Sequence, residues 1–238
     1  MNELTMTAPG AHRREHHSVL AAAEKRLLVW IARRLPPAIG SDHLSALGLA
    51  SMAAAGGFCA MLPLTRWAAY GVVLALAINW FGDSLDGTVA RVRGQQRPRY
   101  GYYVDHIIDL AGTSMLLAGL ACSTLMSPIV ALMVLCGYLL VSSETYLAAH
   151  SAGVFRISFL GLGPTELRIL LAVGVLKAAQ APVVSNSVTG PVRLFDLGGV
   201  IAAVGLVAAF LVSGVWNTRA LYAAEPLPVT GGDESRTP

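Results

Sequence analysis

Apolar residues along this chain fall in runs of roughly 18 to 25, separated by short polar or proline-containing joints. A run of that length crosses about 30 Å of hydrocarbon as an α-helix. Six can be placed, near residues 44–64, 67–90, 101–124, 127–149, 163–184 and 195–217. Pro63 and Thr65, Ser127 and Pro128, and the segment SNSVTGP supply the joints after the first, third and fifth. Upstream the pattern changes. Between His17 and Leu35, the side chains of Leu20, Leu27, Leu28, Trp30 and Ile31 share a helical face against Glu24, Lys25, Arg26, Arg33 and Arg34, and Pro36–Pro37 ends the pattern. A basic amphipathic segment of this kind predicts an interfacial helix on an anionic membrane surface. The whole chain therefore predicts an all-α integral membrane protein. Its parts are a disordered tail (1–16), an amphipathic interfacial helix (17–37), six transmembrane helices (38–219) and a flexible C-terminal tail (220–238).

Composition sharpens this picture. Of 238 residues, 55% are hydrophobic and 13% charged, about half the charged share of an average soluble domain. This points away from an ordinary soluble single domain, the bland alternative. The net charge of +3, with no basic stripe interleaved with aromatics, predicts no nucleic-acid partner. Cys59, Cys122 and Cys136 lie inside apolar runs without metal-ligand spacing, so they read as small packing residues. The first forty residues are polar to amphipathic and do not read as a cleavable signal peptide. The distribution of charge sets the orientation. In the six-span topology Arg13, Arg14, Lys25, Arg26, Arg33, Arg34, Arg91, Arg93, Arg97, Arg99, Arg156, Arg168 and Arg219 fall on one side, with little beyond Arg66 and Arg193 on the other. The excess of Lys and Arg predicts that this side, with both termini, is cytoplasmic, in a bacterial inner or plasma membrane.

Ionisable residues at membrane depth are costly unless solvated or paired, so each is a functional candidate. Here they cluster. Asp83 and Asp86 lie three apart near the inner end of the second span, and Gly87, Ala90 and Arg91 extend the same broad face. Gly101, Asp105 and Asp109 follow at intervals of four and stack along one face of the third span. The loop VRGQQRPRY joins the two spans, which makes them antiparallel neighbours with two pairs of carboxylates facing at one depth. Four carboxylates that close need cations to remain ionised together. All-oxygen ligation selects hard divalent ions, magnesium, manganese or calcium, and four shared ligands suit a two-metal site. Such a site polarises a phosphoryl oxygen and leaves a carboxylate to deprotonate a nucleophile. Gly87 and Ala90 leave room against the helix, and Arg91 offers a planar fork to phosphate. The residues alone point to metal-assisted phosphoryl transfer at a membrane surface.

The segments DSLDGTVAR (83–91) and GYYVDHIID (101–109) resemble the signature of the CDP-alcohol phosphotransferases, D-x-x-D-G-x-x-A-R followed after a spacer by G-x-x-x-D-x-x-x-D, and fill all eight fixed positions. The spacer between Arg91 and Gly101 is one residue longer than the family's usual one, within the Arg-rich loop. The resemblance implies six transmembrane helices behind an interfacial helix, usually in a homodimer. It also implies transfer of a phosphate-linked group, most simply phosphatidyl from CDP-diacylglycerol, to a small polar alcohol, with release of CMP in phospholipid biosynthesis. By position, Asp83, Asp86, Asp105 and Asp109 are implied as ligands of two divalent cations, Mg2+ or Mn2+, with Asp109 also the base on the acceptor hydroxyl. Asp83, Gly87, Ala90, Arg91 and Gly101 are implied to line the nucleotide and pyrophosphate pocket.

His106 forms a DH pair with Asp105, as in the choline and ethanolamine members of that family, and is a candidate acceptor contact or proton relay, with a helix-interface histidine hydrogen-bonded to a neighbour as the alternative. Glu144, near the inner end of span four, and Glu166 and Arg168, at the start of span five, are further acceptor candidates; ion pairing or helix capping is their structural alternative. A phosphorylated acceptor would call on Arg156 and Arg168, an amino alcohol on Glu144, Tyr146 and Glu166. Arg97 and Arg99 fit phosphate contacts or positive-inside charge equally. Lys177 and Asp196 lie near the outer side and read as interfacial groups, and Asp42 and His43 lie just before span one, where Ser41 or Asp42 would supply a cap. Two other functions use membrane carboxylates. An intramembrane prenyltransferase lacks the D-G-x-x-A-R frame, and a transporter places coupling sites at the midplane of repeated halves, whereas these carboxylates flank a basic loop.

Overall fold

The computed structural model describes residues 19–151, 164–186 and 190–225. The chain forms α1 (Val19–Arg34), α2 (Ser41–Met61), α3 (Ala68–Val92), α4 (Pro98–Ala121), α5 (Pro128–Ser151), α6 (Pro164–Gln180), a short hairpin of β1 (Val183–Asn186) and β2 (Gly190–Arg193), and α7 (Leu194–Ala224). Proline opens α4, α5 and α6, where its missing N–H costs nothing and its fixed φ suits a first turn. Helices α2, α3, α4, α5 and α7 are long and apolar enough to cross a membrane. The sixth, α6, has 17 described residues, about 25 Å of helix, at the short end of the spanning range. Large apolar side chains such as Leu132, Leu147, Val204 and Trp216 point outward, as they do where lipid replaces water.

Packing order closes the six long helices into a ring, α2–α3–α6–α7–α5–α4 and back to α2. Both α3 and α4 pack extensively on α2, and the crossings are close because they are built from glycine. A Cβ on Gly82 of α3 would stand 2.7 Å from the Leu44 carbonyl oxygen of α2, and one on Gly119 of α4 would stand 2.0 Å from the carbonyl oxygen of Gly56. Small residues are what let membrane helices approach this far. The core around these crossings includes Ala55, Cys59, Val72, Leu76, Leu116 and Leu120. The expectation that α3 and α4 are direct neighbours is corrected here: each is held chiefly by α2, not by the other.

The α3–α4 connection opens with a glycine cap. Gln95 N–H donates to the Ala90 carbonyl at 2.9 Å and Gly94 N–H to that of Arg91 at 3.2 Å, with Gly94 at φ +65°. These are the two bonds of a Schellman ending. Arg93, just before it, donates to the carbonyls of Ile39 at 2.7 Å, Leu35 at 3.0 Å, Pro36 at 3.1 Å and Pro37 at 3.5 Å. It thereby pins the α1–α2 linker to the end of α3. At the other end of α1, Trp80 Nε1 donates to Glu24 Oε1 at 2.9 Å, while Leu28 and Ala32 pack with Leu44, Leu85 and Val89. Helix α1 thus lies along the loop-bearing half of α3, leaving Lys25, Arg26, Arg33 and Arg34 exposed, with Arg34 over the Trp30 ring.

At the far end of the bundle, α6 stops at Gln180, before the expected boundary near 184, because Pro182 cannot continue the helix and Val183–Asn186 pairs antiparallel with Gly190–Arg193. Asp196, expected to be an interfacial group, accepts the Ser127 N–H at 2.6 Å and so caps the start of α5. Helix α7 runs to Ala224, past the expected end near 217 and into the segment read as tail. The tail segments 1–16 and 226–238, and Arg156, lie outside the described residues.

Candidate active site

On α3, Asn79, Asp83 and Asp86 share a face; on α4, Asp105 and Asp109 stack one turn apart. With both helices packed on α2, the two faces converge. Asp83, Asp105 and Asp109 each bring a carboxylate oxygen within 4.8 Å of the others. Asp83 is half-buried, and Asp105 and Asp109 are exposed. Three carboxylate oxygens at that separation form a hard, all-oxygen donor set of the kind that suits Mg2+, Mn2+ or Ca2+. The residues present therefore fit a divalent cation.

Asp86 is oriented differently. Its Oδ2 accepts from Ser45 Oγ of α2 at 2.6 Å, and its Oδ1 accepts the Gly87 N–H. Ser45 is thus a site residue the sequence reading missed, since an isolated serine in an apolar helix carries no signal of its own. Arg91 is exposed, donates from Nη2 to Thr88 Oγ1 at 3.1 Å, and lies over Gly87, whose missing Cβ would meet Arg91 Nη1 at 3.2 Å. Gly87, Ala90 and Arg91 therefore flank the carboxylates on the loop side. A Cβ on Gly101 would meet nothing within 4 Å. At the same end of the bundle Arg97 pairs with Asp42 and stacks on Tyr100, beside a groove of ≈ 400 Å³ lined by Ser41, His43, Gln95 and Gln96. His43 Nδ1 accepts the Gly40 N–H at 3.2 Å, so the contact that caps this segment comes from His43 and not from Ser41 or Asp42.

The acceptor candidates separate into groups. Arg168 turns into the bundle: its Nη2 donates to Asp83 Oδ2 at 2.6 Å and its Nε to Asn79 Oδ1 at 2.7 Å. Asn79 Nδ2 in turn donates to the Gly48 carbonyl at 3.0 Å. Asn79 was also missed, although it lies one helical turn before Asp83 and is itself polar at membrane depth. His106 sits between two tyrosines, with ring centroids 4.0 Å from Tyr102 and 4.9 Å from Tyr146, and its Nδ1 lies 2.6 Å from the Tyr102 carbonyl. This aromatic wall bounds the α4–α5 side. Glu144 faces α7, where Ser213 Oγ at 2.7 Å and Asn217 Nδ2 at 2.6 Å donate to it. Glu166 lies exposed in the first turn of α6.

No curated protein gives a significant sequence match. Among solved structures, the chain resembles the phosphatidylinositol phosphate synthase of Mycobacterium tuberculosis with CDP-DAG bound. The TM-score is 0.55 and the identity 20%, covering 86% of this chain and 100% of that one. At that identity the likeness speaks for the fold, a membrane bundle of the same kind. Residues 44–218, which contain every carboxylate of the site, match the CDP-alcohol phosphatidyltransferase family, and the chain belongs to that family of integral-membrane transferases.

Proposed function

We propose that this protein transfers a phosphatidyl group from a CDP-linked lipid, CDP-diacylglycerol most simply, to a small polar alcohol and releases CMP. The observation that carries the reading is the convergence of Asp83, Asp105 and Asp109 to within 4.8 Å inside the family's own signature. In this reading Asp83, Asp86, Asp105 and Asp109 hold two divalent cations, Mg2+ or Mn2+. When bound, these neutralise the pyrophosphate and stabilise charge developing on the transferred phosphoryl oxygens. Gly87, Ala90, Arg91 and Gly101, with Asp83, line the nucleotide. Asp109 accepts the proton of the acceptor hydroxyl. The hydroxyl oxygen forms a bond to the lipid-bearing phosphorus, and the bond from that phosphorus to the CMP oxygen breaks, so CMP leaves with the electron pair.

The carboxylates lie within the helices, on the loop-bearing side of the bundle, so donor and acceptor meet where lipid and water are both within reach. With that end cytoplasmic, the exposed basic face of α1 and both termini lie inside the cell. The homodimer of the family belongs to this proposal too.

A CMP-release screen tests it, crossing CDP-linked donors with phosphorylated and unphosphorylated alcohols in Mg2+ or Mn2+. At least one pair should release CMP, chelation should stop it, and Asp109→Asn should lower it by about 10²-fold or more, the range of a lost general base. Absence of CMP from every pair, with Asp109→Asn indistinguishable from the parent, overturns the reading.

A further inference from the structure

The proposed chemistry assigns nothing to α6, yet Arg168 of that helix reaches straight to a carboxylate of the site. Asn79 and Asp83 are four residues apart on α3 and so stack on one face. A single guanidinium spans the pair, Nε to Asn79 Oδ1 at 2.7 Å and Nη2 to Asp83 Oδ2 at 2.6 Å. Asn79, only 6% exposed, is itself fixed from behind by its bond to the Gly48 carbonyl of α2. Three helices are thus linked in series, from the backbone of α2 through Asn79 of α3 and Arg168 of α6 to Asp83.

We propose that Arg168 and Asn79 form a positioning relay that sets the orientation of the Asp83 carboxylate for the divalent cation, making α6 part of the metal site although it supplies no ligand. The proposal rests on the reading of Asp83 as a ligand. Two of the N–H directions of Arg168 are already committed to α3, which distinguishes it from a side chain waiting for a substrate phosphate. The planar fork is what the geometry uses: a lysine carries the same charge but cannot place two fixed N–H vectors on Asn79 and Asp83 together. Partners that orient a metal-ligating carboxylate are typically worth 10- to 100-fold in metal affinity. The sign of the effect is informative, because a cation beside a ligand that did nothing but carry charge would repel the metal, and its removal would tighten binding.

The test is Mn2+ binding to the purified full-length protein in nanodiscs, read from the EPR signal of free Mn2+, with no nucleotide or alcohol present. Asp83→Asn serves as the reference for a lost ligand. Arg168→Lys and Arg168→Gln should both weaken Mn2+ binding, by about 10- to 100-fold, and Asn79→Leu by about 10-fold. Melting temperatures without metal identify any variant whose loss is one of folding, and Arg168→Lys, which keeps the charge and most of the bulk, is the decisive one. If Arg168→Gln binds Mn2+ more tightly while Arg168→Lys matches the parent, Arg168 is a counter-charge and the relay is wrong. If Mn2+ binding is unchanged in all three and only the KM of an acceptor rises, Arg168 is an acceptor contact and the relay is again wrong. A parent protein that binds Mn2+ but releases no CMP overturns the proposed reaction, whereas CMP release with unaltered Mn2+ affinity in the variants overturns only the relay.

Discussion

Adding one methyl group at Gly82 tests how strictly the α2–α3 contact governs the carboxylates. The new Cβ of Gly82→Ala would lie 2.7 Å from the Leu44 carbonyl oxygen, 3.0 Å from the Gly48 nitrogen and 3.2 Å from Gly48 Cα. All three are backbone atoms, so no rotamer change relieves the clash. To reach an ordinary contact of 3.4 Å, the helices must separate by about 0.7 Å, and overpacking of that kind costs about 1–3 kcal/mol. The bond from Asn79 to the Gly48 carbonyl, 3.0 Å long, bridges the same contact and would be stretched past hydrogen-bonding range, adding about 1 kcal/mol. The expected loss of stability is about 2–4 kcal/mol. Because Asp83 is the next residue and the displacement approaches 1 Å, kcat/KM for CMP release should fall by about 10- to 100-fold even at temperatures where the variant is folded. Unfolding in mixed micelles by titration with a denaturing detergent gives the first quantity, and steady-state CMP release gives the second. Gly57→Ala is the matched control, since a Cβ there meets nothing within 4 Å, and it should stay within about 0.5 kcal/mol of the parent. If Gly82→Ala matches Gly57→Ala in both stability and activity, the α2–α3 crossing does not govern the site.

Ser45→Ala removes the 2.6 Å donor to Asp86; kcat/KM for CMP release should fall by about 10-fold, the worth of one hydrogen bond to a charged group, with Ser45→Thr retaining most of the activity. Glu144→Ala leaves Ser213 and Asn217 without their acceptor and should cost about 1–3 kcal/mol of stability in the same detergent titration, while kcat below the melting transition stays at the parent value. A large loss of kcat with unchanged stability would move Glu144 into the acceptor site. Arg93→Ala frees the α1–α2 linker from the two bonds at or below 3.0 Å to Ile39 and Leu35, so limited trypsin digestion should cut sooner at the exposed Lys25, Arg26, Arg33 and Arg34. An unchanged digestion rate would show that packing of Leu28 and Ala32 alone holds α1.

The apolar runs and the carboxylate spacing were readable along the chain because both are local: a helix period and a span length suffice to find them. The first four spans fall within a few residues of their expected places, while the fifth helix ends early and the last runs on, and the signature that suggested phosphoryl transfer lies within the family match. What resisted reading was tertiary. The α3–α4 loop suggested direct pairing of its helices, but glycine at 56, 82 and 119 lets α2 approach both so closely that α2 becomes their common support. Arg168 was visible as a polar residue at the start of a span, while its partner on α3, eighty-five positions earlier in sequence, was not. Asn79 could have been found by the rule that found Asp83, since it shares that face one turn away. The hairpin at 183–193 was obscured by its apolar valines, which prolong the hydrophobic run of α6 beyond the end of its helix.

Helix α2 contributes no carboxylate to the Asp83–Asp105–Asp109 cluster, only the Ser45 hydroxyl to Asp86 and the Gly48 carbonyl to Asn79, yet both carboxylate-bearing helices are registered against it through bare backbone. This divides the protein into a chassis that cannot drift and walls that can. Apart from Arg168, substitutions along α5, α6 and α7 meet mainly side chains that can yield, so on the proposed reaction they can reshape the walls step by step. Substitutions at the glycines of the α2 crossings move the reaction centre as a block. New acceptor preferences in this scaffold should therefore arise from changes in the walls, with the α2 crossings left as they are.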